Sequence, residues 1–231
     1  MIFSCELDKN KKYLLACSFG PDSMALFDML LKENIDFEVA HVNYHKRDVS
    51  DFEEKSLIEY CNAHKISIEV LDSRTIEQEG NFQAWAREIR YKFFKDVVIK
   101  NILAGVIVSH QMDDVIETYL MQIQRNSTPT TYGLDNSEIF GIPVFRPLLN
   151  YRKKDLLEYN NENNIPYSID VSNLSDDYER NKIRHSIVEK LTNEECLSYL
   201  EEIRIKNEKL TSIKAIATAI GRSEFTTAIA K

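Results

Sequence analysis

The stretch from Tyr13 to Leu31, YLLACSFGPDSMALFDMLL, changes its period in the middle. Tyr13 to Cys17 is a short apolar run bounded by the turn-like string Ser18-Phe-Gly-Pro-Asp-Ser23, and Met24, Ala25, Phe27, Leu30 and Leu31 then recur at helical spacing. That reads as strand, loop, helix. Working outward, the same alternation repeats. Phe37–Val42 and Ile66–Leu71 read as strands around a charged helix over Val49–His64. Asn81 stands where it would cap a long helix whose apolar stripe is Phe82, Trp85, Ala86, Ile89, Phe93 and Val97. Ala104–Val108 is a fourth strand, and Val115, Ile116, Tyr119, Leu120 and Ile123 mark the next helix. Strands separated by helices at this spacing predict a doubly wound α/β fold, because right-handed crossovers return each strand to one parallel sheet with helices on both faces.

A chain of 231 residues, 43% hydrophobic and 29% charged, has the material for one large unit and a smaller appendage. The expected division is residues 1–150, with a mobile Pro- and Gly-rich loop over 126–147, and a helical extension over 151–231. The apolar run Ile102–Val108 is far short of the ~20 residues that cross a bilayer. No export signal is legible near the amino terminus, so the expected setting is the cytoplasm without membrane attachment. Cys5, Cys17, Cys61 and Cys196 never form a CxxC pair, which disfavours zinc ribbons, iron–sulfur clips and a disulfide framework. The net charge of −8 disfavours unspecific nucleic-acid binding, yet RNKIRHSIVEK over 180–190 carries four basic residues against one acidic, a local anion-binding surface.

Four strings carry chemistry. Ser18–Ser23 lies between the first strand and its helix, where open α/β sheets bind ligands and a helix amino terminus offers N–H groups to phosphate. Gly20 permits close approach, Ser18 and Ser23 donate hydroxyls, and Asp22 is placed to hold magnesium; a plain Gly/Pro turn with a capping residue explains the string about as well. No GK[ST] follows, which disfavours a Walker-type nucleotide hydrolase. In Ser109-His-Gln-Met-Asp-Asp-Val-Ile-Glu117, Asp114 and Glu117 share a helix face, and Asp113 and Glu117 stand one turn apart. Three carboxylates there fit a metal or a cationic substrate, although acids in a first turn also satisfy the helix dipole. Arg87 and Arg90 lie off the apolar stripe. Arg180, Arg184 and His185 cluster within about 1.5 helical turns, either a phosphate grip or a solvated basic face.

SFGPDSMALF resembles the SGGxDS loop of the N-type ATP pyrophosphatases, a PP-loop group with an adenine nucleotide alpha hydrolase-like fold. The ordered set HVNYHKR, NFQAWAREIRY, SHQMDDVIETYL, FRPLL and DVSNLSDDYERNKIRH resembles the tRNA(Ile)-lysidine synthetases, and runs colinearly from about Tyr13 to His185. The resemblance implies a ligase that uses ATP to adenylylate the wobble cytidine of an isoleucine tRNA with a CAU anticodon, after which free L-lysine displaces AMP. It implies that Ser18, Phe19, Gly20, Pro21, Asp22 and Ser23 hold ATP, with Asp22 also on Mg2+, and that His41 and Asn43 flank the nucleotide. It places Arg90, Asp114 and Glu117 on lysine, Asp113 near the nucleotide or metal, and Arg180, Asn181, Lys182 and Arg184 on the tRNA. Asp22, Asp113, Arg180 and Arg184 are then the expected catalytic set. One departure stands out. Phe19 replaces the usual second glycine, so its side chain is expected to point away from the phosphates. Two rivals remain: a thiolation enzyme of the same group, which would need cysteines to carry sulfur or hold a cluster, and a non-catalytic nucleotide-binding protein.

Overall fold

The chain is described by a computed structural model covering residues 2–46, 48–127, 129–169 and 179–229, with side chains to residue 215. The string Asp170-Val-Ser-Asn173 and Tyr178 lie outside the described residues. The elements are β1 Lys12–Ala16, α1 Pro21–Lys32, β2 Asp36–Asn43, α2 Ser50–His64, β3 Ile68–Asp72, α3 Phe82–Lys100, β4 Val106–Ile107, α4 Met112–Gln124, β5 Ser137–Ile139, β6 Ile142–Phe145, α5 Lys153–Glu162, α6 Glu179–Ser186 and α7 Asn193–Ile229. Each strand and helix expected from the alternation is present, displaced at its ends by a residue or two.

The sheet runs β3-β2-β1-β4-β6-β5, parallel except for the antiparallel β5–β6 pair. Strand polarity in the core follows the pleat, since successive side chains face opposite sides. Tyr13, Leu15 and Cys17 join α1 residues Met24, Phe27 and Leu30, with Leu57 of α2 and Leu156 of α5, in one buried cluster. Leu14 and Ala40 face the other way, into a cluster with Tyr91, Phe94 and Val97 of α3 and Val106, Ile142 and Val144. Helices therefore cover both faces, as a doubly wound sheet requires. The Asn81 side chain caps α3, accepting from the backbone N–H groups of Gln83 and Ala84, a contact worth about 1 kcal/mol. Among the described residues no helix is long and apolar enough to cross a membrane.

Two expectations are revised. The stretch 126–147 is not one long loop, because β5 and β6 form a hairpin within it and β6 pairs with β4, Val106 opposite Val144 and Ile107 opposite Phe145. Its prolines and glycines read as breakers, but Ile142 and Val144 alternate inward while Pro143 points out. At Gly105 (φ +150°) a Cβ would lie 2.6 Å from the Pro143 carbonyl oxygen, so this approach of the two strands needs glycine. The second revision concerns the division near residue 150. Contacts instead separate Met1–Met112 with Asp135–Ser172 from Asp113–Leu134 with Asn173–Lys231. Helix α5 belongs with the sheet because it packs on α1, where Tyr159 Oη donates to Asp28 at 2.5 Å and Lys32 Nζ reaches the same hydroxyl at 3.0 Å.

Candidate functional site

In the first unit the chain leaves β3 at one edge and resumes at β4, on the far side of β1. Strand order thus reverses between β1 and β4, and ligands of open α/β sheets bind outside the carboxyl ends at such a point. Ser18–Ser23 is the segment that leaves β1 there. Gly20 is the extended N-cap of α1 and Pro21 begins the helix, where its missing N–H leaves no bond unmade. The Ser23 hydroxyl donates to the Gly20 carbonyl at 2.9 Å and accepts from the Ser18 N–H at 3.3 Å, while the Ser18 hydroxyl accepts from the Gly20 N–H at 3.3 Å. The loop is therefore shaped by its own hydroxyls. Asp22 sits in the first turn of α1.

Phe19 resolves the departure in this loop. Its backbone is left-handed, φ 64°, the conformation a glycine would take freely. Its ring is 5% exposed and belongs to the core cluster under α1, so the side chain points inward. The left-handed backbone costs about 1–2 kcal/mol and burial of the ring contributes about 1.5–3, so packing wins. Phe19→Gly is accordingly expected to lower stability by about 1–2 kcal/mol while leaving nucleotide affinity unchanged; chemical denaturation and a nucleotide titration check the two halves.

His41 is buried at the end of β2, and its Nδ1 donates to the Cys17 carbonyl at 2.9 Å, which fixes the orientation of the ring. Asn43 is tied into the fold: its amide donates to Asp51 and Glu54 at 3.0 and 2.8 Å and its oxygen accepts from the His45 N–H at 2.9 Å. Arg90 lies on α3, its guanidinium carbon 5.8 Å from the Tyr91 ring. Sequence reasoning assigned no role to two further groups. His45 is held between Asp51 at 2.8 Å and Asp72 at 2.9 Å, with Arg74 beside Asp72 holding that carboxyl well below the usual carboxylate range. Arg146 is 4% exposed, bonded to His110 Nδ1 at 3.3 Å, Ser137 Oγ at 3.0 Å and the Asp135 carbonyl, and burial pushes its pKa down. The FRPLL string contained Arg146 but nothing marked it as buried.

In the second unit the acidic helix α4 and the basic helix α6 meet. Glu117 is 0% exposed; its Oε2 accepts from Arg180 Nε at 2.7 Å and from an Arg184 terminal nitrogen at 3.0 Å, and its Oε1 accepts from Arg184 Nε at 2.6 Å. Arg180 also donates to Thr118 Oγ1 at 3.1 Å, and Asp114 lies 3.7 and 3.6 Å from the two guanidiniums. The i, i+4 spacing of the arginines gives one helix face, and the i, i+3 spacing of Asp114 and Glu117 gives its counterpart. Asp113 is 8% exposed on the same turn. Asp114 and Glu117 thus meet both guanidiniums, and the Asp113 carboxylate lies on the same turn of α4. Asn181 is buried in α6 and Lys182 exposed.

The expected site residues thus fall into two groups. Ser18–Ser23, His41, Asn43 and Arg90 belong to the first unit, and Asp113, Asp114, Glu117, Arg180, Asn181, Lys182 and Arg184 to the second. The Arg180–Glu117–Arg184 contact was not anticipated, since both ends of it were read as facing ligands; opposite charge at matched helix spacing was the available signal.

Residues 3–191 match the PP-loop domain family ATP_bind_3. The tRNA(Ile)-lysidine synthase of Ureaplasma parvum is 45% identical over 184 residues, covering 77% of this chain and 55% of that protein. That of Mycoplasmopsis pulmonis is 35% identical over 205 residues, covering 88% of this chain and 71% of that protein. The chain spans about half the length of several curated relatives it matches. Among solved structures, the U34-tRNA thiolase NcsA from Methanococcus maripaludis with its [4Fe-4S] cluster superposes with a TM-score of 0.69 at 16% identity, over 87% of this chain and 73% of that one, a likeness of fold.

Proposed function

Because the chain belongs to the PP-loop family, among the tRNA(Ile)-lysidine synthases, we propose that it converts the wobble cytidine of an isoleucine tRNA with a CAU anticodon to lysidine, in the cytoplasm, using ATP and free L-lysine. The observation that carries the reading is the loop after β1: Phe19 turns into the core, so the phosphate-facing side of Ser18–Ser23 keeps the shape of a glycine-rich loop. In the first step the cytosine carbonyl oxygen attacks the α-phosphorus of ATP and pyrophosphate leaves. In the second, the lysine amine attacks the same ring carbon, the carbon–oxygen bond breaks and AMP leaves.

Ser18, Gly20, Ser23 and the amino terminus of α1 cradle the phosphates, and His41 stands at the end of the neighbouring strand. Among the described residues no three His, Cys, Asp or Glu side chains gather into a metal cage. One carboxylate fits magnesium nonetheless, because that ion commonly takes one or two protein oxygens and completes its shell with phosphates and water. Asp22 would hold it, and the ion would supply charge neutralisation on the phosphates. Lysine enters as an ammonium with an unperturbed pKa near ~10.4 and must lose a proton before attack. Asp114 and Asp113 orient the ammonium and accept that proton. Glu117 acts through the arginines it holds, and Arg180 and Arg184 present their outer N–H groups to the phosphates of tRNA, with Asn181 and Lys182 beside them. Arg90 is the remaining group assigned to lysine.

The test is to incubate the protein with ATP, magnesium, labelled lysine and the isoleucine tRNA. Label in the tRNA supports the reading; sulfur incorporation with a sulfur donor, or nucleotide binding without turnover, replaces it by one of the rivals. The thiols bear on the first rival. Burial raises the pKa of Cys5 and Cys17 and pushes Cys61 up to about 12, which keeps these thiols protonated at neutral pH. An alkylating reagent at pH 8 is expected to modify the half-buried Cys5 first and to reach Cys17 and Cys61 only after denaturation, and Cys5→Ser is expected to leave turnover unchanged; peptide mass mapping and the lysine assay check both.

A further inference from the structure

Three aromatic side chains with no role in the site as described meet at the carboxyl edge of the parallel sheet, in the same unit as the phosphate loop. Tyr44 immediately follows β2, and Phe82 and Trp85 occupy the first turn of α3, which follows β3. Ring centroids lie 5.7 Å apart for Tyr44–Phe82, 5.8 Å for Phe82–Trp85 and 6.3 Å for Tyr44–Trp85. All three are half-buried and belong to neither of the two cores. Two are pinned by their polar ends: Tyr44 Oη donates to the Ala86 carbonyl and Trp85 Nε1 to the Glu77 carbonyl, both at 2.9 Å. The rings meet edge-on or tilted, at interplanar angles of 78°, 61° and 41°, and the two polar atoms fix their orientation.

Lys46 Nζ lies over the Phe82 ring, 4.5 Å from its centroid, and Arg87, two residues beyond Trp85, lies over the buried Tyr91 ring at 4.8 Å, outside the three. Among the described residues neither forms an ion pair with a carboxylate, whereas Asp72 is taken by Arg74 and Glu88 by Lys92. Preorganised aromatic faces flanked by cations without carboxylate partners are the composition that stacks unpaired nucleotides, the rings taking bases and the cations phosphates. A duplex presents no free base faces to such a surface. We propose that Tyr44, Phe82, Trp85 and Lys46 form a stacking platform for unpaired bases of the RNA substrate. The choice of RNA rests on the lysidine reading above.

Trp85 is the sole tryptophan, so its emission reports the platform directly. The probe is the anticodon stem-loop of the isoleucine tRNA, with a fully paired RNA of equal length as control. Saturable quenching by the stem-loop and not by the duplex is expected. Phe82→Ala should weaken stem-loop binding about 10-fold, Phe82→Tyr should restore it, and Lys46→Ala should lower the slope of log affinity against log salt by about one. Circular dichroism of each variant separates loss of the platform from loss of fold. Unchanged Trp85 emission on RNA binding, equal quenching by duplex, absence of RNA binding, or stem-loop affinity unaltered in folded Phe82→Ala each overturns the proposal. Lysine incorporation is measured on the same preparations: if it proceeds while the platform fails, the lysidine reading stands alone, and if the stem-loop quenches Trp85 while no lysine is incorporated, the platform stands without it.

Discussion

Asp22→Ala is expected to abolish adenylylation, with pyrophosphate release falling at least about 10³-fold, while the thermal midpoint changes little. The side chain is half-buried in the first turn of α1 and contributes no apolar area to either core, so its loss removes little hydrophobic packing. Removing a metal ligand, in contrast, forfeits several kcal/mol of charge stabilisation on the transferring phosphate, and each ~1.4 kcal/mol is a tenfold loss in rate. Pyrophosphate release at the wild-type rate would take Asp22 out of the mechanism. A large fall in thermal midpoint would mean that the acid holds the loop rather than an ion.

That the fold is legible in the sequence follows from period. Tyr13–Cys17, Phe37–Val42 and Ile66–Leu71 alternate or run apolar over strand lengths, and Met24 to Leu31 switches to helical spacing, so a doubly wound sheet is the simple way to bury them. The hairpin over 137–145 escaped because Pro143 and Gly141 are local breakers, while the pairing of β6 with β4 is a tertiary fact. The place of α5 escaped for the same reason, since its contacts with Asp28 and Lys32 join residues some 130 apart. The place of Ser18–Ser23 between β1 and α1 was readable from position alone. The burial of Phe19 was deducible only from the demand that something other than a side chain face the phosphates. The clamp of Arg180 and Arg184 on Glu117 was not readable, because spacing shows which residues share a face and not which face opposes it.

Glu117→Gln is expected to be the most damaging single change in the second unit. Glu117 is fully buried and accepts three hydrogen bonds from two guanidiniums, so the amide leaves two cations sharing Asp114. Breaking a buried ion pair from one side costs about 3–5 kcal/mol; the 38% exposure of Arg180 reduces the figure here to about 2–3. Both half-reactions should fail, since the arginines lose their orientation. Adding Arg184→Gln to the same protein should recover part of the stability and none of the activity. Asp114→Asn should behave differently, with adenylylation retained, a raised lysine requirement and accumulation of AMP-modified tRNA. If Glu117→Gln keeps its stability and only raises the lysine requirement, Glu117 is a direct lysine ligand and the clamp is incidental.

The proposed lysidine synthesis requires two successive displacements at one cytidine, the first dependent on ATP and magnesium and the second on lysine, and a chase separates them. Protein, ATP labelled in the α-phosphate, magnesium and the isoleucine tRNA are incubated without lysine, ATP is removed, and unlabelled lysine is added. The account predicts that labelled AMP becomes attached to the tRNA and is then released in step with lysidine formation. Labelled tRNA that never yields to lysine, or lysidine that forms only when ATP and lysine are present together with no labelled intermediate, would contradict it.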